Sequence, residues 1–178
     1  MPMELVPDVF TADYTGRPGE RTFFLQSRDV SRTFSFLLEK QQVAVLAEKL
    51  REILLAVDAT DAVGSLTAER DPEMALLGPI EPEWRVGTIG LAYDETTDRV
   101  LIALAPLTED EEEEAVEAPA LEDSFRAVLS REQVRTFVVH AQAVVGEGRP
   151  LCRLCGLPMD PDGHACPASN GHFAPTSS

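Results

Sequence analysis

The chain has 178 residues, 44% of them hydrophobic, which is enough to bury the core of one domain with a small appendage. Its net charge of −16 disfavours nucleic acid as a partner, because phosphate binding requires clustered Lys and Arg. No apolar run approaches the roughly 18–20 residues that cross a bilayer. With no basic and apolar leader and only 3 cysteines, a cytoplasmic protein without disulfides is expected.

The N-terminal part of the chain predicts a hairpin followed by a helix. β-favouring and aromatic residues over 21–27 and 33–38 predict two strands, joined by a turn at 29–31. From Gln41 to Val57, apolar residues recur at the i, i+3, i+4 and i+7 spacing of an amphipathic helix. Residues 58–83 contain three prolines and two glycines, so they are predicted to form a long loop.

The next part of the chain predicts a second hairpin and a second helix. Residues 84–93 and 99–106 flank a polar turn and are predicted to pair as strands. Nine of the 31 acidic residues lie in segment 108–123, which has no base and is predicted to be flexible; docking of a basic partner is the alternative. A strand at 125–129 then leads into a helix whose capping box pairs Ser130 with Gln133.

The two strand–helix units resemble each other in sequence. LEKQQV at 38–43 aligns with LSREQV at 129–134, an offset of 91 residues, and the apolar helix positions also coincide. A shared helical period and an ancient duplication both explain this likeness. Either predicts an α+β fold, with an antiparallel sheet carrying two amphipathic helices on one face. This domain is predicted to cover 1–148, followed by a small zinc-knuckle-like tail at 149–173 and disorder at 174–178.

The tail contains the densest chemistry of the sequence. Cys152, Cys155, His164 and Cys166 place four metal donors within fifteen residues. Two residues between the first two cysteines allow both sulfurs to bind one ion, and Gly156 permits the tight turn that follows. Because tetrahedral zinc takes four ligands, this closed Cys₃His set predicts a structural zinc site without an open position.

Other interpretations of the tail are weaker. A redox Cys-x-x-Cys pair normally begins a helix after a strand, whereas this pair follows a helix. Asp160–Gly163 resembles the opening of a calcium loop, but the EF-hand pattern requires Glu at the position of Gly171. His172 is a fifth donor that could replace His164. A reduced tail without metal is the remaining alternative.

Upstream of the tail we find no catalytic motif, and no catalytic residue is predicted. His140 is interpreted as a polar position on a helix face. No serine lies in a nucleophile elbow. Four arginines, Arg17, Arg21, Arg28 and Arg32, cluster near the first hairpin; they are interpreted as solvated strand ends, with an anion-binding or partner-binding patch as the alternative.

Stretches along nearly the whole chain also occur in one known family. They are GRPGERTFFLQ at 16–26, LEKQQV at 38–43, SREQ at 130–133, GRPLC at 148–152 and CGLPMDPDGHACP at 155–167. Together they resemble an uncharacterised actinobacterial family, catalogued as domain of unknown function 3090. The resemblance implies a small conserved protein, often encoded near a histidine-phosphatase-like and a lipid-kinase-like protein, and no known activity. Family members often have Pro and Arg where this chain has Arg153 and Ala168.

The sequence therefore predicts a non-enzymatic adaptor or regulatory protein with structural zinc and an unidentified protein partner. The alternative is an enzyme or small-molecule-binding domain, with a pocket near the N-terminal hairpin. Polar residues converging in a deep cavity would favour the enzyme, and a shallow apolar patch rimmed by charge would favour the adaptor.

Overall fold

The computed structural model describes residues 3–57, 67–108, 124–147, 152–155 and 166. These ranges form seven strands and two α-helices, which confirms the α+β class: β1 Met3–Leu5, β2 Val9–Thr15, β3 Thr22–Arg28, β4 Thr33–Leu38, α1 Lys40–Val57, β5 Pro82–Asp94, β6 Arg99–Pro106, β7 Phe125–Ser130 and α2 Arg131–Gly146. One turn of 3-10 helix, Pro72–Met74, lies between α1 and β5. The predicted flexibility of the acidic segment and the disorder of 174–178 concern residues outside these ranges.

The strands form one mixed sheet in the order β1-β7-β6-β5-β4-β3-β2. The prediction of an antiparallel sheet is wrong for two of the neighbouring pairs, because β1 runs parallel to β7 and β4 runs parallel to β5. A parallel pair needs a long crossover, and α1 with the connection after it carries the chain back to the start of β5. The sequence patterns marked hairpins, which are local, and gave no sign of these non-local pairs.

The two edge strands of the sheet are consecutive in the chain. Strands β1 and β2 lie at opposite ends of the strand order, yet only three residues separate them in the chain. At about 3.5 Å per residue, the step from Leu5 to Val9 spans at most about 14 Å, so the edges cannot be far apart. Aromatic rings of β4 and β7, which are not neighbours in the strand order, also meet: the centroids of Phe34 and Phe125 are 5.2 Å apart.

Two units with the same connectivity build this sheet: β2–β3–β4–α1 and β5–β6–β7–α2. Each helix begins directly after its third strand, and the two starts are 91 residues apart. The Gln42 side chain accepts the N–H of the residue before α1 at 2.7 Å and donates to the Val86 carbonyl at 3.0 Å. Gln133 makes the same two bonds, at 2.9 Å and, to the Pro7 carbonyl, at 2.7 Å. These matching contacts favour an internal repeat over a coincidence of helical period.

The helices are buried on the faces that their apolar spacing predicts, and they pack against each other. The buried helix residues include Val43, Leu46, Leu50, Leu54, Val134, Phe137, Val138, Ala141 and Val144. Phe137 meets Phe10 of β2 with ring centroids 5.3 Å apart. The capping box of Ser130 and Gln133 is present as predicted. Neither helix in the described ranges is long and apolar enough to span a membrane.

Candidate metal centre and buried polar cluster

Three of the four predicted metal ligands come together in space. The sulfur atoms of Cys152, Cys155 and Cys166 all lie within 4.8 Å of one another. Those of Cys152 and Cys166 are 3.8 Å apart, and both residues are buried. Two sulfurs bound to one tetrahedral zinc at about 2.3 Å each are separated by about 3.8 Å, as the geometry of the tetrahedron requires. The three cysteines could therefore hold one metal ion.

The turn at 152–155 favours the thiolate form that binds metals. Hydrogen bonds from the backbone N–H groups of Cys155 and Leu154 lower the pKa of the Cys152 thiol. The Leu154 nitrogen is 3.4 Å from the Cys152 sulfur. Two intervening residues are the spacing that allows this turn, so the local sequence explains the local geometry. His164 and His172 lie outside the described residues, and the identity of the fourth ligand stays a prediction.

A second cluster of functional groups lies at β2 and α2, where the sequence predicted none. His140, interpreted from the sequence as a polar position on a helix face, lies on the buried face of α2 and is only 1% exposed. Its Nδ1 accepts the N–H of Asp71 at 3.1 Å, and its Nε2 lies 3.2 Å from the Asp13 carboxylate. A neutral imidazole that accepts at Nδ1 carries its proton on Nε2, which therefore donates to Asp13.

Charges around Asp13 keep it ionised despite its burial. Burial acts to raise the pKa of Asp13, but the hydrogen bond from His140, the Tyr14 backbone N–H and the charge of Arg70 together hold that pKa below its ordinary value. Arg70 donates to Asp13 at 2.6 Å and also to Glu147 at the end of α2. The Tyr14 hydroxyl donates to the same Glu147 carboxylate at 2.7 Å, which raises the pKa of Tyr14.

The arginines near the first hairpin do not converge on one patch. Arg28 is buried, so it is not a solvated strand end, and burial lowers the pKa of its guanidinium. Arg21 lies over the Tyr14 ring, 4.1 Å from its centroid, and donates to the Glu147 carbonyl. Arg32 pairs with Asp29 at 2.9 Å in an exposed turn. Arg21 therefore ties the hairpin to the end of α2, and Arg28 ties it to the chain after α1.

A cavity of about 220 Å³ lies beside the start of β2 and is lined mainly by acidic and apolar residues, including Asp8, Asp71, Glu73 and Glu132. Asp13 and His140 are buried away from it. In the part of the chain that the structure describes, the hydrogen-bonded pair of Asp13 and His140 is buried near the first hairpin and does not line this cavity.

The chain was compared with known proteins. Residues 5–166 match the model of a family described as a protein of unknown function (DUF3090), which confirms the resemblance seen in the sequence. No curated protein matches the chain. No solved structure matches it either.

Proposed function

The chain belongs to the DUF3090 family of proteins of unknown function, and on that premise we propose that it is a zinc-binding, non-enzymatic adaptor or regulatory protein. The observation that carries this proposal is the convergence of three cysteine sulfurs within 4.8 Å. Thiolates at this spacing suit a tetrahedral zinc ion, and a fully protein-bound zinc has no position for an activated water.

The proposed ligand set is Cys152, Cys155, Cys166 and His164, with His172 as the alternative donor. A zinc held in this way would fix the tail at 149–173 as a small knuckle attached to the α+β domain, on which we expect both helices to share one face of the sheet. The knuckle would then present a rigid surface to a protein partner. The net charge of −16 supports a protein rather than nucleic acid as that partner, in the cytoplasm.

Metal analysis of the purified protein tests the site directly. Elemental analysis should give about one zinc per chain, since four donors form one tetrahedral set. Cys155→Ser should lose the metal, whereas the matched variant His172→Ala should retain it and His164→Ala should not. Retention by His164→Ala with loss by His172→Ala would move the fourth ligand to His172. Full retention by Cys155→Ser would contradict the proposed site.

Recovery of a partner tests the adaptor role. Affinity purification of the tagged chain from its native host should recover one specific protein, and Cys152→Ser should weaken that association if the knuckle shapes the contact surface. The full chain should show no zinc-dependent turnover in broad hydrolase and redox screens. Turnover that survives stringent repurification, with no partner recovered, would contradict the adaptor role.

An enzyme or small-molecule-binding domain is the second candidate, because Asp13, His140 and Arg70 converge near the first hairpin. The Asp13–His140 pair can act as a general base only when a substrate reaches the imidazole, and His140 is 1% exposed. If turnover is found, its loss in His140→Gln would favour this candidate, and its survival there would place the chemistry elsewhere.

A further inference from the structure

Residues 69–77, here called the strap, are bound by side chains of β2 and β3 through main-chain atoms. Thr11 Oγ1 donates to the Met74 carbonyl at 2.6 Å. Gln26 uses both ends of its amide on one residue, because Nε2 donates to the Leu77 carbonyl and Oε1 accepts the Leu77 N–H, each at 2.9 Å. A side-chain amide that pairs with both groups of one residue imitates the pairing of a neighbouring strand.

Two more buried side chains extend this contact along the strap. Arg28 donates from Nη1 to the Ala75 carbonyl at 2.8 Å and from Nη2 to the Glu73 carbonyl at 3.3 Å. His140 accepts the N–H of Asp71 at 3.1 Å. All six of these hydrogen bonds therefore end on main-chain atoms of the strap.

Two of the strap's side chains contribute to its attachment: Arg70, which pairs with Asp13 and Glu147, and Met74. Glu73, Ala75 and Leu77 are exposed, with Leu77 at 56%. Met74 is the exception at 5% exposed, and it packs into the core. Recognition of the strap therefore depends on its main chain, on the Arg70 ion pairs and on one unbranched apolar side chain, since Met adapts to irregular sites.

The second unit shows that the fold itself does not need the buried polar groups. The equivalent positions follow from the strand pairing, because Thr11 faces Gln26 in the first unit as Gly90 faces Ala103 in the second. Only glycine and alanine occupy the four positions of the second unit: Gly90, Ala92, Ala103 and Ala105 stand where the first unit has Thr11, Asp13, Gln26 and Arg28. Burying polar groups is costly unless they are hydrogen-bonded, so those of the first unit need a polar occupant opposite them.

We propose that Thr11, Gln26, Arg28 and His140 line a binding groove for a polypeptide main chain. The strap occupies this groove in the present conformation. A partner's peptide segment that offers the same main-chain groups, a Met-like side chain and an Arg four residues before it can take its place. The ligand class follows from the bound strap itself, and the inference goes beyond the proposed function because no metal ligand takes part in it.

A peptide that copies the strap tests this groove. The probe is a fluorescently labelled synthetic ERDPEMALLGP, residues 69–79, titrated into the full chain carrying Met74→Asp, a change that removes the strap's buried anchor. We expect this variant to bind the probe at least ten-fold more tightly than the unaltered chain, in which the strap competes. Adding Gln26→Leu to the Met74→Asp chain should remove that gain.

Two altered probes separate main-chain from side-chain recognition. Methylating the Leu77 nitrogen deletes the donor to Gln26 and should weaken binding at least ten-fold. Replacing Leu77 by Ala in the probe should change binding less than two-fold, because this side chain is exposed. Equal binding of the methylated and unmethylated probes would overturn the groove.

Strap release is measured on the same samples by hydrogen exchange of 69–77, with circular dichroism and zinc content as controls that the fold and the metal site are unchanged. If Met74→Asp leaves the strap protected, Asp71→Pro is added, which deletes the N–H that His140 accepts. A released strap without probe binding would overturn the proposal. A strap that stays fully protected in the double variant would also overturn it, because it would not be displaceable.

Discussion

Replacing His140 by leucine removes the centre of the buried polar cluster with little change in volume. The imidazole is 1% exposed, and both of its nitrogens are used, Nε2 toward Asp13 and Nδ1 toward the Asp71 N–H. Leucine leaves the buried Asp13 carboxylate with one donor fewer and the Asp71 N–H without its acceptor. Because the side chain fills a similar space, the loss of stability should come from these polar groups rather than from a cavity.

The size of the stability loss in His140→Leu follows from the two hydrogen bonds that the variant lacks. A hydrogen bond to a charged group contributes about 1.5–3 kcal/mol, and leaving a buried donor without an acceptor costs about 1–3 kcal/mol. Arg70 still neutralises Asp13 in the variant, so the lower part of each range applies. We expect His140→Leu to lower the free energy of unfolding by about 3 kcal/mol, a large share of the roughly 5–15 kcal/mol of a typical domain.

Urea unfolding at neutral pH, followed by far-UV circular dichroism, measures this loss. His140→Gln is the matched control, because a glutamine amide can donate to Asp13 and accept from Asp71, and it should lose less than half as much. The slope of free energy against urea should be the same in both variants if the unfolded state is unchanged. A loss below about 1 kcal/mol for leucine, or equal losses for leucine and glutamine, would refute the reasoning.

The remaining predictions concern the repeat, a close backbone contact, acid and the metal. Gln133→Ala should lower the free energy of unfolding by about 1–3 kcal/mol, and Gln42→Ala by a similar amount, because each variant loses two hydrogen bonds. Denaturant unfolding measures both losses, and a several-fold difference between them would contradict the equivalence of the two glutamines. Gly87→Ala should destabilise the fold, because its Cβ would lie 2.7 Å from the Leu107 main chain. Gly146→Ala should not, because among the described residues its Cβ would meet nothing within 4 Å beyond its own turn of helix; calorimetry compares the two melting temperatures. Asp13→Asn should reduce the acid sensitivity of unfolding. Because the pKa of Asp13 is lowered in the fold, the stability that its carboxylate contributes is present above the ordinary pKa of 3.8 and is lost as the pH falls below that value. Unchanged acid sensitivity of the variant would contradict this. A chelator that removes zinc should leave the far-UV circular dichroism of the domain intact, because its core precedes the cysteines; global unfolding would contradict that independence.

The sequence predicts the helices and most strands because their signals are local. A helical period, a capping box at Ser130 and alternation in β3 to β7 each lie within a few residues. The three cysteines likewise carry their metal-binding pattern in their spacing, and the structure brings them together. The likeness between the two units at an offset of 91 residues left a duplication and a shared helical period as alternatives, and the paired contacts of Gln42 and Gln133 favour the duplication.

Strand β2 and the buried cluster escape this kind of reasoning because their signals are non-local. Thr11 and Asp13 interrupt the apolar pattern of β2, and their hydrogen-bond partners come from distant parts of the chain: the strap, about sixty residues later, and His140 of α2. His140 did carry a usable signal, since it lies three residues after Phe137 and four before Val144 on the apolar stripe of α2. A polar residue on a buried stripe predicts a hydrogen-bonded partner, but not which one.

The repeat also relates the two functional regions to each other. The chain that follows α1 supplies the strap, and the chain that follows α2 leads to the cysteines, so each region comes after the helix of its unit. Glu147 follows α2, precedes Cys152 by five residues, and accepts hydrogen bonds from Arg70 and Tyr14. Arg70 belongs to the strap, so a partner that displaces the strap also removes this contact from Glu147. The end of α2 would then lose its ion pair with the strap, while the Tyr14 hydroxyl would still donate to Glu147.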